Sequence, residues 1–230
     1  MLTFSCCGKE SVQAVAEQTQ LLRGIQRGYE RECLRIDTNG KLALTFSKTN
    51  RVTLHEDGEY ESNTDHTVML SLCACALASA LYKEKLDIGK VAQFAIVHDL
   101  VEAYVGDTNT INISDTARAE KDKREMDSLL KIEAEFKHIY PWIHTTIAEY
   151  ERRDTPEARF VKTLDKSMTK ITNTINKGAA LRKLGTTREE IEKHFVTQLN
   201  EYRKKYGEEF PELMDITEEL MNNMLQEIYV

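Results

Sequence analysis

Along most of this chain apolar residues recur at three- and four-residue intervals, the repeat of a helix that buries one face. The pattern predicts helices at about 10–36, 65–83, 87–105, 114–138, 141–151, 157–177, 187–206 and 212–228, with ends good to a few residues. Only Pro141, Pro156 and Pro211 interrupt it, so the fold class is all-α. Asp37-Thr-Asn-Gly40 reads as a turn, and Lys41 to Phe46 alternates enough to predict a short strand or hairpin arm. Ser47 to Asn63, polar and glycine-containing, reads as an ordered loop feeding the first core helix. No internal repeat or low-complexity segment is seen.

The uncharged run from Thr67 to Tyr82, containing SLCACALASA, falls short of the ~20 residues that span a bilayer. It is expected to be a buried helix, with no membrane partner. At 230 residues, 41% hydrophobic and 30% charged, the chain is large enough to bury one sizeable core. A formal charge of -7 leaves no dominant basic face, which argues against stable binding of nucleic-acid duplexes. Five cysteines, Cys6, Cys7, Cys33, Cys73 and Cys75, and a start (MLTFSCCGKE) without a long apolar core point to a reducing cytoplasm. Cys73 and Cys75, two apart, face different sides of a helix and read as core thiols rather than as a metal pair.

One stretch breaks the apolar pattern. Residues 98–107 read HDLVEAYVGD after the uncharged VAQFAIV, and ionisable groups in such a setting are costly unless they are paired or bind a metal. Glu102 lies three and four residues after Asp99 and His98, which on a continuous helix puts all three on one face. Gly106 is suited to end that helix and turn Asp107 toward the same cluster. Upstream, NTDHTVML sets His66 at the start of the uncharged helix, and downstream ARFVKTLDKSMTKI sets Asp165 among Phe160, Val161, Leu164, Met168 and Ile171. Any one of these occurs often by chance. Together, two histidines and two carboxylates on three helices make a mixed nitrogen and oxygen set suited to a divalent transition ion.

These residues resemble a known family, the HD-domain metal-dependent phosphohydrolases, and within it the 5'-deoxynucleotidase subgroup. The resemblance spans roughly Arg51 to Gly178. It rests on Arg51 and His66 with fourteen residues between them, among them the start of the string ESNTDH, on HDLVE at 98–102, on GDT at 106–108, and on KTLDK around Asp165. It implies an all-α helical bundle over residues 51–230, preceded by an extension, 1–50, packed on the core and including a small hairpin. It implies that His66, His98, Asp99 and Asp165 bind a divalent ion (Co, Mn, Zn, Fe or Mg), that Glu102 and Asp107 serve the hydrolytic water and the leaving group in either assignment, and that Arg51 holds substrate phosphate. It further implies a small-molecule deoxynucleotide as substrate and a homo-oligomer of two or more chains.

The chain departs from that pattern in places. Asp65 stands where the subgroup usually has Glu, Val52 where an aromatic often follows the arginine, and TNTINISD lacks the usual Pro and Lys after Gly-Asp. The phosphate-side contact then falls to Lys121, Lys123 or another residue. Three functions are compatible with these residues: hydrolysis of deoxynucleoside 5'-monophosphates, cleavage of deoxynucleoside triphosphates to nucleoside and triphosphate, and a non-catalytic nucleotide sensor or scaffold. Intact Glu102 and Asp107 argue against the last, because a pure binder has little use for two further buried carboxylates. His55 is near the motif but outside it, and His138, His144 and His194 read as surface or packing residues.

Overall fold

A computed structural model describes residues 7–108 and 113–229, with side chains described from residue 16 onward. The chain divides between Leu42 and Ala43 into two compact units. The first is made by helix α1 (Cys7–Phe46) as far as Leu42, and its described side chains leave Leu21, Leu22, Ile25, Tyr29 and Ile36 exposed. Here the structure corrects the sequence reading, because the expected turn at Asp37–Gly40 and the expected strand arm at Lys41–Phe46 both lie inside α1. Lys41 pairs with Asp37 one turn back at 2.6 Å, and the Thr38 hydroxyl donates to the Leu34 carbonyl. Such contacts between residues four apart hold a helix through a stretch whose short alternation also fits a strand.

The hairpin lies one segment later, in the stretch expected to be a loop. Strands β1 (Asn50–Leu54) and β2 (Tyr60–Ser62) pair antiparallel. Their turn closes through His55 N–H donating to the Glu59 carbonyl at 2.8 Å, with Gly58 at φ 89°, a conformation glycine adopts without a Cβ penalty.

The rest of the second unit is helical: α2 (Asn63–Leu81), α3 (Ile88–Val97), α4 (Glu102–Val105), α5 (Asp115–Phe136), α6 (Trp142–Arg152), α7 (Pro156–Ile175), α8 (Ala179–Lys183), α9 (Arg188–Tyr206) and α10 (Pro211–Ile228). The main core joins Leu70, Ala74 and Ala78 of α2 to Phe94 of α3, Tyr150 of α6, Phe160, Leu164 and Met168 of α7, and Leu213 of α10. Tyr82, Phe160 and Phe210 meet edge to face with ring centres 5.4–5.5 Å apart, an arrangement worth about 0.5–1.5 kcal/mol per pair beyond burial. A second cluster, with Phe195, Leu199, Met214 and Met224, packs α9 on α10.

Two further expectations change. The helix expected at 87–105 breaks after Val97 and resumes at Glu102. Between them Leu100 N–H bonds to the Val97 carbonyl, Glu102 N–H to Asp99 and Ala103 N–H to Leu100, three-residue spacings that tighten the turn and stack Asp99 over Glu102. Helix α2, expected to be buried, buries only Asn63, His66, Thr67, Leu70, Ala74 and Ala78, and leaves an uncharged face open.

Candidate metal centre

Each member of the cluster is held by its own local chemistry. Ser62 caps α2, its hydroxyl accepting from Asp65 N–H while the Asp65 carboxylate accepts from Ser62 N–H, a reciprocal capping box. The residue after Asp65 is His66, and on the first turn of α2 it points inward, 1% exposed. His98 follows the last residue of α3, and its Nδ1 lies 2.8 Å from the Ala95 carbonyl. A carbonyl only accepts, so Nδ1 carries a proton, and in the neutral ring this leaves the lone pair on Nε2. Asp165 sits at the middle of α7, which Thr155 and Pro156 start cleanly, and is 4% exposed.

These pieces converge. His66 Nε2 lies 3.0 Å from Asp165 Oδ1, and His98 Nε2 lies 3.0 Å from Asp99 Oδ2 and 3.9 Å from Asp165 Oδ1. One donor atom from each of His66, His98, Asp99 and Asp165 falls within 4.8 Å of all the others. His98 Nε2 is buried without a hydrogen-bond partner, although two carboxylates surround it. A buried lone pair that is aimed at carboxylates and left unpaired is what a metal ligand requires. The field agrees: against burial, which disfavours charge, Asp165 and Glu61 push His66 up to about 9, so the pocket stabilises a cation where that proton sits. The donor set therefore fits a divalent ion with two imidazoles and two carboxylates.

Around the four donors stand the other candidates. Arg51 on β1 places Nη1 2.8 Å from Asp99 Oδ2, and Asp99, with 16% of its side chain exposed, is the most open of the four. Glu102, 4% exposed, accepts from Asn63 Nδ2 at 2.9 Å and lies 3.6 Å from Lys121 Nζ. Burial first, then the Asp99 and Asp107 charges, push its carboxyl up to about 9, against Arg51 and Lys121. Gly106 at φ 76° ends α4, and Asp107 then accepts from Val52 N–H at 3.3 Å, beside Arg51 in sequence.

Several participants escaped the sequence reading. Glu61, 3% exposed, lies 3.7 Å from His66 Nδ1 and 4.0 Å from Arg51 Nε, and it accepts a hydrogen bond from Thr53. At 3.7 Å the His66 contact is an ion-pair distance longer than a hydrogen bond, and His66 Nδ1 has no hydrogen-bond partner. Lys166 and Lys162 bracket Asp165 Oδ2 at 3.1 and 4.0 Å, which leaves Oδ1 to the histidines. The Tyr150 ring meets His98 edge to face at 6.4 Å. The string ESNTDH and the two lysines of KTLDK were visible in the sequence, but nothing in their spacing says that a hairpin would fold Glu61 under His66. His55 lies 3.3 Å from Asp65 at the surface, outside the cluster, and His194 packs on Phe195. The phosphate-side contact sought after Gly-Asp falls partly on 109–112, outside the described residues, as does Cys6.

The sequence pattern of the HD domain matches residues 46–206, most of the chain and all of the cluster. The chain belongs to the HD-domain family. Among curated relatives of this HD-domain chain are proteins named 5'-deoxynucleotidase HDDC2 from Danio rerio, 31% identical over 106 residues, and from Xenopus laevis, 30% identical over 106 residues. Each alignment covers 46% of this chain, which spans about half (50%) of the length of either relative. Solved structures with the same fold include a "Predicted metal-dependent phosphohydrolase" from Magnetospirillum magnetotacticum MS-1, with a TM-score of 0.65 at 22% identity over 87% of this chain and 98% of that one. The PH0347 protein from Pyrococcus horikoshii OT3 gives 0.55 at 23% identity over 80% and 99%.

Proposed function

We propose that this HD-domain chain is a metal-dependent phosphohydrolase that cleaves deoxyribonucleoside 5'-monophosphates to deoxynucleoside and inorganic phosphate. The observation that carries this reading is the convergence of His66, His98, Asp99 and Asp165 within 4.8 Å with Arg51 against the most open donor. The names of the relatives add the substrate class. A phosphomonoester repels nucleophiles because its oxygens are anionic, and a divalent ion held by these four residues supplies a polarised phosphoryl oxygen and an acidified water.

The chain's own residues do the remaining work. Arg51 presents a permanently charged planar fork suited to two phosphoryl oxygens, and Lys121 adds a second cation near Glu102. Glu102, fixed by Asn63, orients the attacking water, and would take its proton once a bound cation offsets the Asp99 and Asp107 charges that raise its carboxyl. Asp107, just after α4 and hydrogen-bonded to the Val52 N–H of β1 next to Arg51, handles the proton of the departing sugar oxygen in this reading.

The test is a hydrolysis panel over all deoxynucleoside mono- and triphosphates, run with Mn, Co, Zn, Fe and Mg and read by chromatography of the products. Phosphate release from monophosphates that a chelator abolishes is the expected result. Release of triphosphate from the triphosphates would replace this reading. No turnover with any metal, together with nucleotide-dependent thermal stabilisation, would make the protein a sensor.

A further inference from the structure

Three lysines, Lys162, Lys166 and Lys170, follow one another at four-residue steps along α7, a like-charged row that costs a helix stability. Among the described residues, the one carboxylate within ion-pair reach of any of them is Asp165. Lys166 Nζ lies 3.1 Å and Lys162 Nζ 4.0 Å from its Oδ2, while its Oδ1 faces His66 Nε2 at 3.0 Å and His98 Nε2 at 3.9 Å. Arg51 is placed differently, because it takes Asp99 Oδ2, the same oxygen that lies 3.0 Å from His98 Nε2. The two lysines instead hold the one carboxylate oxygen that is turned away from the histidines. Their side chains are only partly open, 34% for Lys166 and 20% for Lys162, so solvent screens the contact incompletely.

For a site built only to bind a divalent ion tightly, this arrangement is adverse. Each ammonium repels the incoming ion, and together they occupy an oxygen that the ion could otherwise use. We infer that Lys166, supported by Lys162, is a positioning residue that restricts Asp165 to one donor oxygen and limits the negative charge Asp165 lends to the metal.

The partners that stand behind a ligand set its basicity. A carboxylate behind a histidine, as Glu61 stands behind His66, raises it, whereas an ammonium on a carboxylate lowers it. A divalent ion that is less neutralised by its donors polarises a phosphoryl oxygen and acidifies water more strongly. The lysines therefore weaken metal binding and strengthen what the bound metal does. The first effect needs no substrate, and only the second rests on the phosphohydrolase reading.

Lys166→Met removes the charge and keeps the length of the side chain. In competition against a chelator of known affinity, with Mn and without substrate, it is expected to bind the metal about tenfold more tightly, the opposite sign to the loss of an ordinary support. Lys166→Arg, which restores the cation, is expected to return the affinity to within a few-fold of wild type. At saturating Mn, kcat of Lys166→Met is expected to fall about tenfold with KM nearly unchanged, and Lys166→Arg to recover it. Weaker or unchanged metal binding in folded Lys166→Met would overturn the inference and leave the lysine a structural partner of Asp165. A raised KM with unchanged metal affinity would overturn it too, making Lys166 a contact of the substrate phosphate. Lys162→Met, at the longer distance, is expected to shift the affinity in the same direction by less, and it carries the test if Lys166→Met does not fold. A wild type without turnover would refute the phosphohydrolase reading, and the chelator measurement would still decide this inference.

Discussion

Replacing Glu61 with Gln isolates the part of the site that no spacing rule pointed to. Glu61 is almost fully buried, takes a hydrogen bond from Thr53, lies 3.7 Å from His66 Nδ1 and is 4.0 Å from Arg51 Nε. The His66 and Thr53 contacts hold its carboxyl below the usual range in spite of the burial that opposes them, so it is a fixed negative charge behind a histidine whose other nitrogen faces Asp165. A carboxylate so placed orients the ring and raises its basicity, and removing such a partner costs about 10–100-fold in metal affinity. At about 1.4 kcal/mol per tenfold, that is roughly 1.4–2.8 kcal/mol. The amide keeps the volume and an acceptor for Thr53, so the fold should hold. Competition against a chelator of known affinity measures the loss directly, and kcat at saturating metal should stay within a few-fold of wild type. Unchanged metal affinity in Glu61→Gln would show that Glu61 is only a buried partner of Thr53 and Arg51.

Other substitutions test different parts. Arg51→Lys keeps the charge but loses the fork, so kcat/KM should fall by about tenfold or more, the cost of roughly one charge-assisted hydrogen bond; wild-type kcat/KM would show that Arg51 serves only Asp99. Glu102→Ala should lower turnover by about 10²–10⁴ while metal content and nucleotide binding persist, and restoration of the rate by excess Mn or Co would instead make Glu102 a support for metal binding. Lys170 is 1% exposed, beside the Lys166 carbonyl and the Phe195 ring, and burial, then Lys166, push it from 10.5 to about 7. The unfolded chain therefore binds the extra proton between those values, so this lysine penalises folding most at low pH and the penalty fades as pH rises from about 7 toward 10.5. Lys170→Met should raise stability by about 1–4 kcal/mol near pH 6 and by little near pH 10, and a melting-temperature gain independent of pH would contradict that origin.

How much of this was legible beforehand depended on whether the signal was local. Caps and periodicity are local, so most of the helices fell where the apolar spacing put them, and Gly106 ended α4 as a positive-φ glycine should. The HD-domain cluster was legible for a related reason: buried ionisable residues stand out against an apolar background, and His66, His98, Asp99 and Asp165 each interrupt one. Failures came where a local pattern fits two structures. Lys41 to Phe46 alternates over only six residues, too few to separate a strand from a helix turn, and the side-chain pairs to Asp37 and Leu34 decided for the helix.

The break after Val97 belongs to another kind. Nothing in IVHDLVEAY forbids a continuous helix, and the tighter turn gains its stability from what it brings together, with the Ser128 hydroxyl bonded to the Val101 carbonyl and Asn63 bonded to Glu102. A site of this sort is written by long-range contacts, and the same holds for Glu61, which becomes His66's partner only because the hairpin pairs Leu54 with Tyr60 and Asn50 with Ser62. The open face of α2 reverses the lesson. Its lack of charge was plain in the sequence and was read as burial within the chain, yet the structure leaves it outside. Where an uncharged run is longer than the fold can cover, the surplus stays at the surface, and here it is the Val68 and Leu72 side of α2.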